Sequence, residues 1–494
     1  MKNPFNGLIR KLFPVQRQRS FDAGRVTRTT SDWNPGTTTA DVEIAAYIQL
    51  LRARARDHDR NNDYARRYYG ALVNNVLKED VGFSLQMQVR DASGTPDNYA
   101  NDTIEAAWKQ WSKPKNCTVT GLDGLYDVAA LALRSAARDG SFLCEIIRDK
   151  SLNEFAFALK PLEIDHLDLR YNVVLENGNS VFIGIEKNPN GKVVALWLVD
   201  QHPGDTMLSY PYGYTTRRRV PMENIIHYFV RERPTQHLGV PWLCSAMTRL
   251  NHLKEYERAE LIAARSAAEK GGWFKNTSGE PGGYKGPDDG SGNKIMDSAP
   301  GSFEELPQGY DFVPYDPKHP TDAFSPFIKA TLRGVAAGGG ISYMALTGDL
   351  SEANFSSMRA GRLEELEFYK KIQSHMIRHF MLPVFEAWLE SAFLSGYFDP
   401  LPFSKFDKFN APKFTGRSWP WIDPKADVEA ALMAINGGLT TRTKITEEGG
   451  ENFEEIISTL QQEKMLADKA GLKFAMPGVG GSGTENAAPQ KQKA

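Results

Sequence analysis

Cysteine is scarce in this 494-residue chain: Cys117, Cys144 and Cys244 are the only three. They are too few and too scattered for a disulfide framework or a four-ligand zinc site, so a reducing compartment is the simpler reading. No apolar run approaches the roughly 20 residues of a membrane-spanning helix, and the first residues lack the apolar core of a signal peptide. We therefore expect a protein made and used in cytosol-like surroundings, with no membrane partner. No GxxxxGKS/T phosphate loop is present, and no dinucleotide glycine fingerprint follows a strand. That removes the commonest route to ATP hydrolysis. An excess of one charge is missing too, with 59 Lys and Arg against 61 Asp and Glu. No bulk field draws the chain onto nucleic acid, so any handling of DNA proceeds without a grip of that kind.

What is there is a globular composition, 41% hydrophobic and 24% charged, with a sizeable core and length for roughly two to four domains. The organising stretch is 320–396. Its first half, TDAFSPFIKATLRGVAA, ends in Gly338-Gly339-Gly340. After ISYMALTGDLSEAN comes a long run in which Phe355, Met358, Leu363, Leu366, Tyr369, Ile372, Met376, Phe380, Val384 and Trp388 recur near the helical period. Lys371, His375, Arg378 and His379 share the opposite face. Pro383 is expected to kink or end the helix, since it lacks a donor and clashes with the preceding turn. Gly361 inside it costs up to about 1 kcal/mol relative to alanine. A long helix entered through three glycines, each free to take positive φ, reads as a moving part on a rigid strut.

The first 40 residues are polar and basic: an arm that docks on a partner or on nucleic acid, or a solvated disordered leader. A helical pattern follows over 41–77, interrupted around 57–63. It carries Arg52, Arg54, Arg56, Arg60, Arg66 and Arg67 beside Tyr64, Tyr68 and Tyr69. Cations among aromatics can bind single strands, but Asp57, Asp59 and Asp63 interleave, and a solvated helix or subunit contact is the blander reading. A strand is expected over 81–90 and helices over 103–111 and 122–138, the latter stopped by Asp139-Gly140. FLCEIIR, FAFAL, SVFIGIE and KVVALWLV read as strands, the last two a hairpin turned at 188–191. Helices followed by antiparallel strands imply an α+β class. After a strand over 225–231, Pro241 fits the first turn of a helix running to about residue 270.

That helix changes character along its length. Leu243, Met247, Leu250 and Leu253 are apolar, whereas Lys254, Glu255, Glu257, Arg258, Glu260 and Arg265 crowd its later turns. Ala259, Ala263 and Ala267 leave a narrow seam of small residues. A helix so polar cannot bury itself in its own domain; copies of itself around a ring would give it neighbours. Residues 271–318 are rich in Gly, Pro, Asp and Ser, a loop whose length is normally functional or disordered. Helices are expected over 427–435 and 452–469, with a disordered tail from 477.

Candidate chemistry is thin. His375 and His379 have the i, i+4 spacing of a zinc pair, but the intervening MIR lacks a glutamate base and no third ligand can be placed. Ser356-Ser357 lacks a glycine-flanked elbow and fits a first helical turn, which Ser351 or Asn354 could cap. Thr347-Gly348-Asp349 reads as a turn. The residues alone describe a multidomain α+β protein with no visible catalytic centre and no cofactor.

Three stretches carry a resemblance: HYFVRERPTQHLGVPWL, FIKATLRGVAAGGGISYMALTGDLSEANFSSMRAG and WIDPKADVEAALMAINGGLTTRTKITEEGGENFEEI. In order and spacing they resemble the portal proteins of tailed bacteriophages, lambda-type family. Thr235 stands where relatives usually carry a glycine. The resemblance implies a non-enzymatic structural protein, a homo-dodecameric ring at one capsid vertex. Double-stranded DNA is pumped through it by a separate terminase and later leaves by the same channel. Implied partners are the terminase large subunit, the major capsid protein and scaffold, and the head–tail connectors, with the virion as location and the host cytoplasm during assembly. It also implies an order along the chain. After the basic arm (1–40) come a wing (41–239), a first stem helix (240–270) and a clip (271–320). A second stem helix (321–337), a tunnel loop (338–354), a long helix returning to the wing (355–396), and the wing end with a helical crown (397–476) complete it.

On this reading Gly338, Gly339, Gly340, Ser342, Tyr343, Thr347, Gly348, Asp349 and Ser351 line the DNA channel. Lys254, Glu257, Arg258, Ala259, Ala263, Arg265 and Ala267 touch the next subunit. Tyr284, Lys285, Asp288, Asp289 and Lys294 face terminase and connectors. Two alternatives stand beside it: a monomeric nucleic-acid binder using 52–67, and a metal-dependent hydrolase using His375 and His379.

Overall fold

The computed structural model describes residues 28, 36–205, 216–268, 272–277, 290, 309–314, 324–351, 355–399, 401–419, 423–449 and 453–471. Most of the basic arm and all of the tail from 477 therefore lie outside the described residues.

Two helices come first, α1 (Ala40–Asn61) and α2 (Asp63–Val76). The expected interruption over 57–63 narrows to one residue: Asn62 is extended (φ −135°, ψ 118°) and its side chain accepts from the Ala65 N–H, capping α2. β1 (Ser84–Met87), α3 (Asn98–Trp111) and α4 (Leu125–Asp139) follow. In α4, Leu125, Val128, Ala129, Ala132, Leu133 and Ala136 are buried, one stripe at helical spacing. The helix ends where expected, at Asp139-Gly140.

β2 (Ser141–Ile147) is the centre of a three-stranded antiparallel sheet, flanked by β3 (Ala158–Leu162) and a later strand, Ile225–Phe229. Helices followed by antiparallel strands make the class α+β, as expected. FAFAL yields its strand three residues later than expected. The Asn153 side chain holds 153–157 in a turn, accepting from Phe155 N (3.0 Å) and donating to Phe157 O (2.8 Å). A five-stranded antiparallel sheet runs in sequence order through β4 (Val173–Val174), β5 (Ser180–Phe182), β6 (Ile185–Lys187), β7 (Val193–Val199) and β8 (Arg217–Pro221). SVFIGIE is thus two strands, not one. Ile183 (φ 49°) and Gly184 (φ 75°) make a two-residue turn inside it, with both φ positive as such hairpins require. A β-branched residue in that conformation is an outlier, so no local signal announces the turn. The strand Ile225–Phe229 is β9.

Pro241 does not begin a helix. Residues 241–246 form turns, with Cys244 N donating to Pro241 O and Ala246 N to Leu243 O, and α5 (Met247–Ala268) starts after them. The ends of the expected loop form an antiparallel ribbon, β10 (Gly272–Asn276) with β11 (Tyr310–Pro314). Next come α6 (Phe324–Gly339), the short α7 (Tyr343–Thr347) and the long α8 (Phe355–Met376). Pro383 neither ends nor breaks the run. A five-residue π-turn, Ile377–Met381, widens the helix just before it, Leu382 N donating to Ile377 O, and α9 (Leu382–Ser395) continues with Pro383 in its first turn. The proline is accommodated because the turn before it is widened, so its ring does not meet a regular helical turn.

α9 is the centre of the larger core. Trp388 is fully buried, its ring 5.0 Å from Trp108, 6.0 Å from Trp111 and 5.6 Å from Phe385. Each such side chain contributes roughly 1.5–3 kcal/mol by leaving water. β12 (Pro412–Thr415) returns to pair with β1. Three further helices close the described chain: α10 (Pro424–Asn436), α11 (Arg442–Glu448) and α12 (Phe453–Ala470). Arg359–Asp427 (3.2 Å) ties α8 to α10, and Lys413–Glu447 (2.5 Å) ties β12 to α11.

Candidate channel segment and subunit contacts

The three glycines are not a free joint. Gly338 and Gly339 are the last residues of α6, and Gly340 alone has positive φ (74°). The carbonyl of Gly339 accepts from the buried Tyr68 hydroxyl at 3.0 Å. A Cβ on Gly339 would lie 2.9 Å from the Tyr68 ring, and one on Gly340 would lie 2.9 Å from Phe368. Glycine is used here for close approach as much as for φ.

Beyond it the expected tunnel loop is a folded clasp. The Ser342 hydroxyl caps α7 by accepting from Ala345 N (3.1 Å) and donates to Glu365 Oε2 (3.1 Å). Thr347 Oγ1 donates to Tyr343 O (2.8 Å), and Gly348 turns the chain at φ 76°. Asp349 accepts from Ser351 N (3.0 Å) and from the Tyr343 hydroxyl (3.0 Å), with Lys329 Nζ at 3.6 Å. Hydrogen bonds from Ser351 first, then from Tyr343, hold its carboxyl well below the usual carboxylate range, and the Lys329 charge adds to them. Arg67 Nε donates to Ala345 O (2.8 Å), and the Arg333 guanidinium lies 5.5 Å from the Tyr343 ring centroid. The segment 341–351 has no lysine or arginine of its own. Sequence reading missed that α2 and α6 bring Arg67, Lys329 and Arg333 against it, because those neighbours are brought by the fold. Glu352 and Asn354 lie outside the described residues.

α5 and α6 run antiparallel. The Arg249 guanidinium fills the space where Gly334 has no Cβ, and Tyr256 packs its ring 5.8 Å from Phe324 and 5.1 Å from Phe327. Burial on α5 stops at Leu253 among the described residues. Beyond it Arg258, Ala259 and Arg265 are exposed and Lys254, Glu257 and Ala263 half-buried. Leu261 and Ile262, 71% and 56% exposed, stand among the charges. Glu257 is not a free contact residue: it accepts from the Tyr64 hydroxyl at 3.1 Å. Burial raises the Glu257 carboxyl and, first among its causes, pushes Tyr64 up to about 12. The Ala267 side chain, and Tyr284, Lys285, Asp288, Asp289 and Lys294, lie outside the described residues.

The arginine-rich helices bind inward. Arg52 is 1% exposed, its Nε donating to Asp139 O (3.0 Å), and burial brings its guanidinium down to about 10. Arg56 pairs with Asp139 (2.8 Å) and Asp165, while Asp59 takes Arg134 (2.6 Å) and Arg138 (3.3 Å). Tyr68 and Tyr69 are core residues and cannot stack on bases, whereas Arg54, Arg60, Arg66 and Arg67 stay exposed and Tyr64 is half-buried. The hydrolase reading fares no better. The His375 and His379 rings lie 4.4 Å apart beside Lys371 and Arg378. Among the described residues the only His/Asp/Glu group at metal-ligand spacing is Glu163, Asp165 and His202. There Arg56 already pairs with Asp165 and lies 3.6 Å from Glu163, a cation where a metal would sit.

The family profile described as phage portal protein, lambda family, matches residues 26–373. The chain is 33% identical over 459 residues to the probable portal protein of Halomonas phage phiHAP-1, covering 92% of this chain and 88% of that one. It is 22% identical over 482 residues to the portal protein of Escherichia phage N15, covering 89% and 88%. To portal protein B of Escherichia phage lambda it is 27% identical over 159 residues, 31% and 30% of the two chains. Among solved structures it is similar to a chain in the neck of an empty gene transfer agent particle, at 14% identity and a TM-score of 0.41, covering 87% of this chain and 96% of that one. On the extent of the profile match and of the phiHAP-1 likeness, the chain belongs to the lambda family of phage portal proteins.

Proposed function

We propose that this chain assembles as a closed dodecameric ring at one capsid vertex, the conduit through which double-stranded DNA enters under a separate terminase and later leaves. α5 and α6 are the stem and 341–351 the segment nearest the DNA. The ribbon β10–β11 carries the clip towards terminase and the connectors, 41–239 with the long helix forms the wing, and α10–α12 the crown. The major capsid protein and scaffold surround the ring at the vertex, and assembly takes place in the host cytoplasm.

The observation that carries this reading is α5 beyond Leu253. Exposed charges alternate there with exposed Leu261 and Ile262, a face that is neither a core stripe nor a purely solvated surface. Heterologous contacts between copies that close on themselves make rings, and such contacts would cover both kinds of residue. The sequence carries no GxxxxGKS/T phosphate loop, which supports a reading in which a separate terminase hydrolyses ATP. Native mass spectrometry with top-view electron micrographs tests the proposal. A ring with a central hole and a twelve-subunit mass is expected; only monomer or dimer at micromolar protein and low salt would sink it.

A further inference from the structure

A cleft of about 360 Å³ opens where α6 ends, at the lower end of the roughly 300–1,000 Å³ that ligand sites occupy. Its floor is the backbone of Gly338 and Gly339, and Trp242, Phe368 and Ile372 are apolar walls. Lys371, His375 and Arg378 stand on its rim, and Glu232 is the only acid that lines it among the described residues. Lys371 and Arg378 are exposed. Arg378 Nε donates to Ser374 O at 3.1 Å, and neither cation has a carboxylate partner among the described residues. Arg378 lies within the π-turn Ile377–Met381, and π-turns recur at functional sites.

An apolar slot with two uncompensated cations at its mouth is complementary to an apolar side chain flanked by carboxylates. A duplex cannot enter a slot of this size, and phosphate binding alone would leave the apolar walls unused. We propose that the cleft is a docking site for an acidic segment of a separate protein. That segment lays an aromatic or large aliphatic side chain over the glycine floor and sets carboxylates against Lys371 and Arg378. The ring reading puts the floor glycines beside the DNA channel but names no partner for the cleft formed with Trp242, Phe368 and Lys371.

Cys244 lines the cleft and is the exposed one of the three cysteines, which gives a local readout. The full-length protein, as assembled, is titrated with a fluorescein-labelled Glu-Glu-Phe-Glu-Glu-Phe peptide at low salt. Anisotropy and the rate of N-ethylmaleimide reaction at Cys244 are followed together. Saturable binding that slows alkylation is expected, and about tenfold weaker binding when Lys371→Glu and Arg378→Glu are combined, two rim ion pairs being lost. The doubly reversed variant should instead prefer a Lys-Lys-Phe-Lys-Lys-Phe peptide, a gain that a misfolded chain could not show. Three results would overturn the proposal. A Gln-for-Glu peptide could bind equally well. A short DNA duplex could displace the peptide and itself protect Cys244. Cys244 could be unreactive in the assembly yet reactive in dissociated subunits, which would give the cleft to the neighbouring copy. Ring assembly is read separately by mass, so failure here leaves the ring reading untouched.

Discussion

Alanine at Gly339 separates a joint from a contact. Inside a helix alanine is favoured over glycine by about 1 kcal/mol, so a glycine kept only for flexibility should give a more stable variant when replaced. At Gly339 the new Cβ would lie 2.9 Å from Tyr68 Cε2 and 3.3 Å from Leu243 Cδ2. Tyr68 is 1% exposed and bonded through its hydroxyl to the Gly339 carbonyl, so its ring can retreat only by straining that bond, worth about 0.5–1.5 kcal/mol. Overpacking a core costs about 1–3 kcal/mol. We therefore expect Gly339→Ala to lose about 1–3 kcal/mol even after the propensity gain. Gly361, in α8, has nothing within 4 Å of a built Cβ, and Gly361→Ala should gain up to about 1 kcal/mol. Equilibrium urea unfolding at one fixed protein concentration measures both, since assembly shifts apparent stability. A Gly339→Ala protein as stable as wild type would refute the packing argument and restore the hinge.

Three further outcomes are expected. Burial, with the charges of Arg52 and His237 behind it, brings the His227 ring down to about 3, whereas the unfolded ring titrates near 6.5. The unfolded chain therefore binds the extra proton between these values. Stability present above pH ~6.5 is lost on acidification, by about 1.4 kcal/mol per unit from this group, and urea midpoints for His227→Gln should fall less steeply from pH 6.5 to 4.5. Leu261→Glu with Ile262→Glu should leave the thermal unfolding of dissociated subunits unchanged and abolish the ring in native mass spectra; a normal ring would remove α5 from the subunit contact. Deleting 279–294, poor in apolar residues, should spare ring assembly and weaken terminase binding in a pull-down, and normal terminase binding would count against the clip assignment.

Much of the secondary structure was legible because period and composition are local. The α4 stripe, the β6–β7 hairpin at 188–191 and the long run through Trp388 all carry their signal within a few turns or strands of sequence. The misreadings share a physical cause. Arg52 and Arg56 read as surface charge, yet their partners Asp139 and Asp165 arrive from far along the chain. Pro241 suits a first helical turn, yet α5 starts late because Trp242 N donates to Ala137 O at 2.9 Å, a tertiary bond that holds 241–246 in turns. The triple glycine read as freedom because glycine is permissive on its own, whereas Tyr68 and Phe368 decide what it does here. Pro383 kept its local rule but not the expected result, since one π-turn absorbs the missing donor.

The clasp changes what motion of the proposed channel segment requires. Lys329, Arg333, Gly334 and Gly339 all lie on α6. Lys329 holds Asp349 (3.6 Å), Arg333 faces Tyr343, and Gly334 receives Arg249 from α5. Only Gly340 separates the helix from Ile341, whose N–H donates back to Ala336 O at 3.2 Å. The segment 341–351 therefore cannot swing about three loose glycines. It must either part from Lys329 and from Arg67, which holds the Ala345 carbonyl, or carry α6 with it along α5. The first route, confined to 347–351, breaks only the half-buried Lys329–Asp349 pair and its neighbours, which are individually weak and screened by salt, whereas taking 341–346 along would also pull out buried Ile341 and Leu346 and the Ser342–Glu365 bond. The second drags the buried Tyr68–Gly339 contact and the Arg249 side chain seated at Gly334. Weak peripheral contacts yield before buried ones, so 347–351 should open first while buried Leu346 and α6 stay in place.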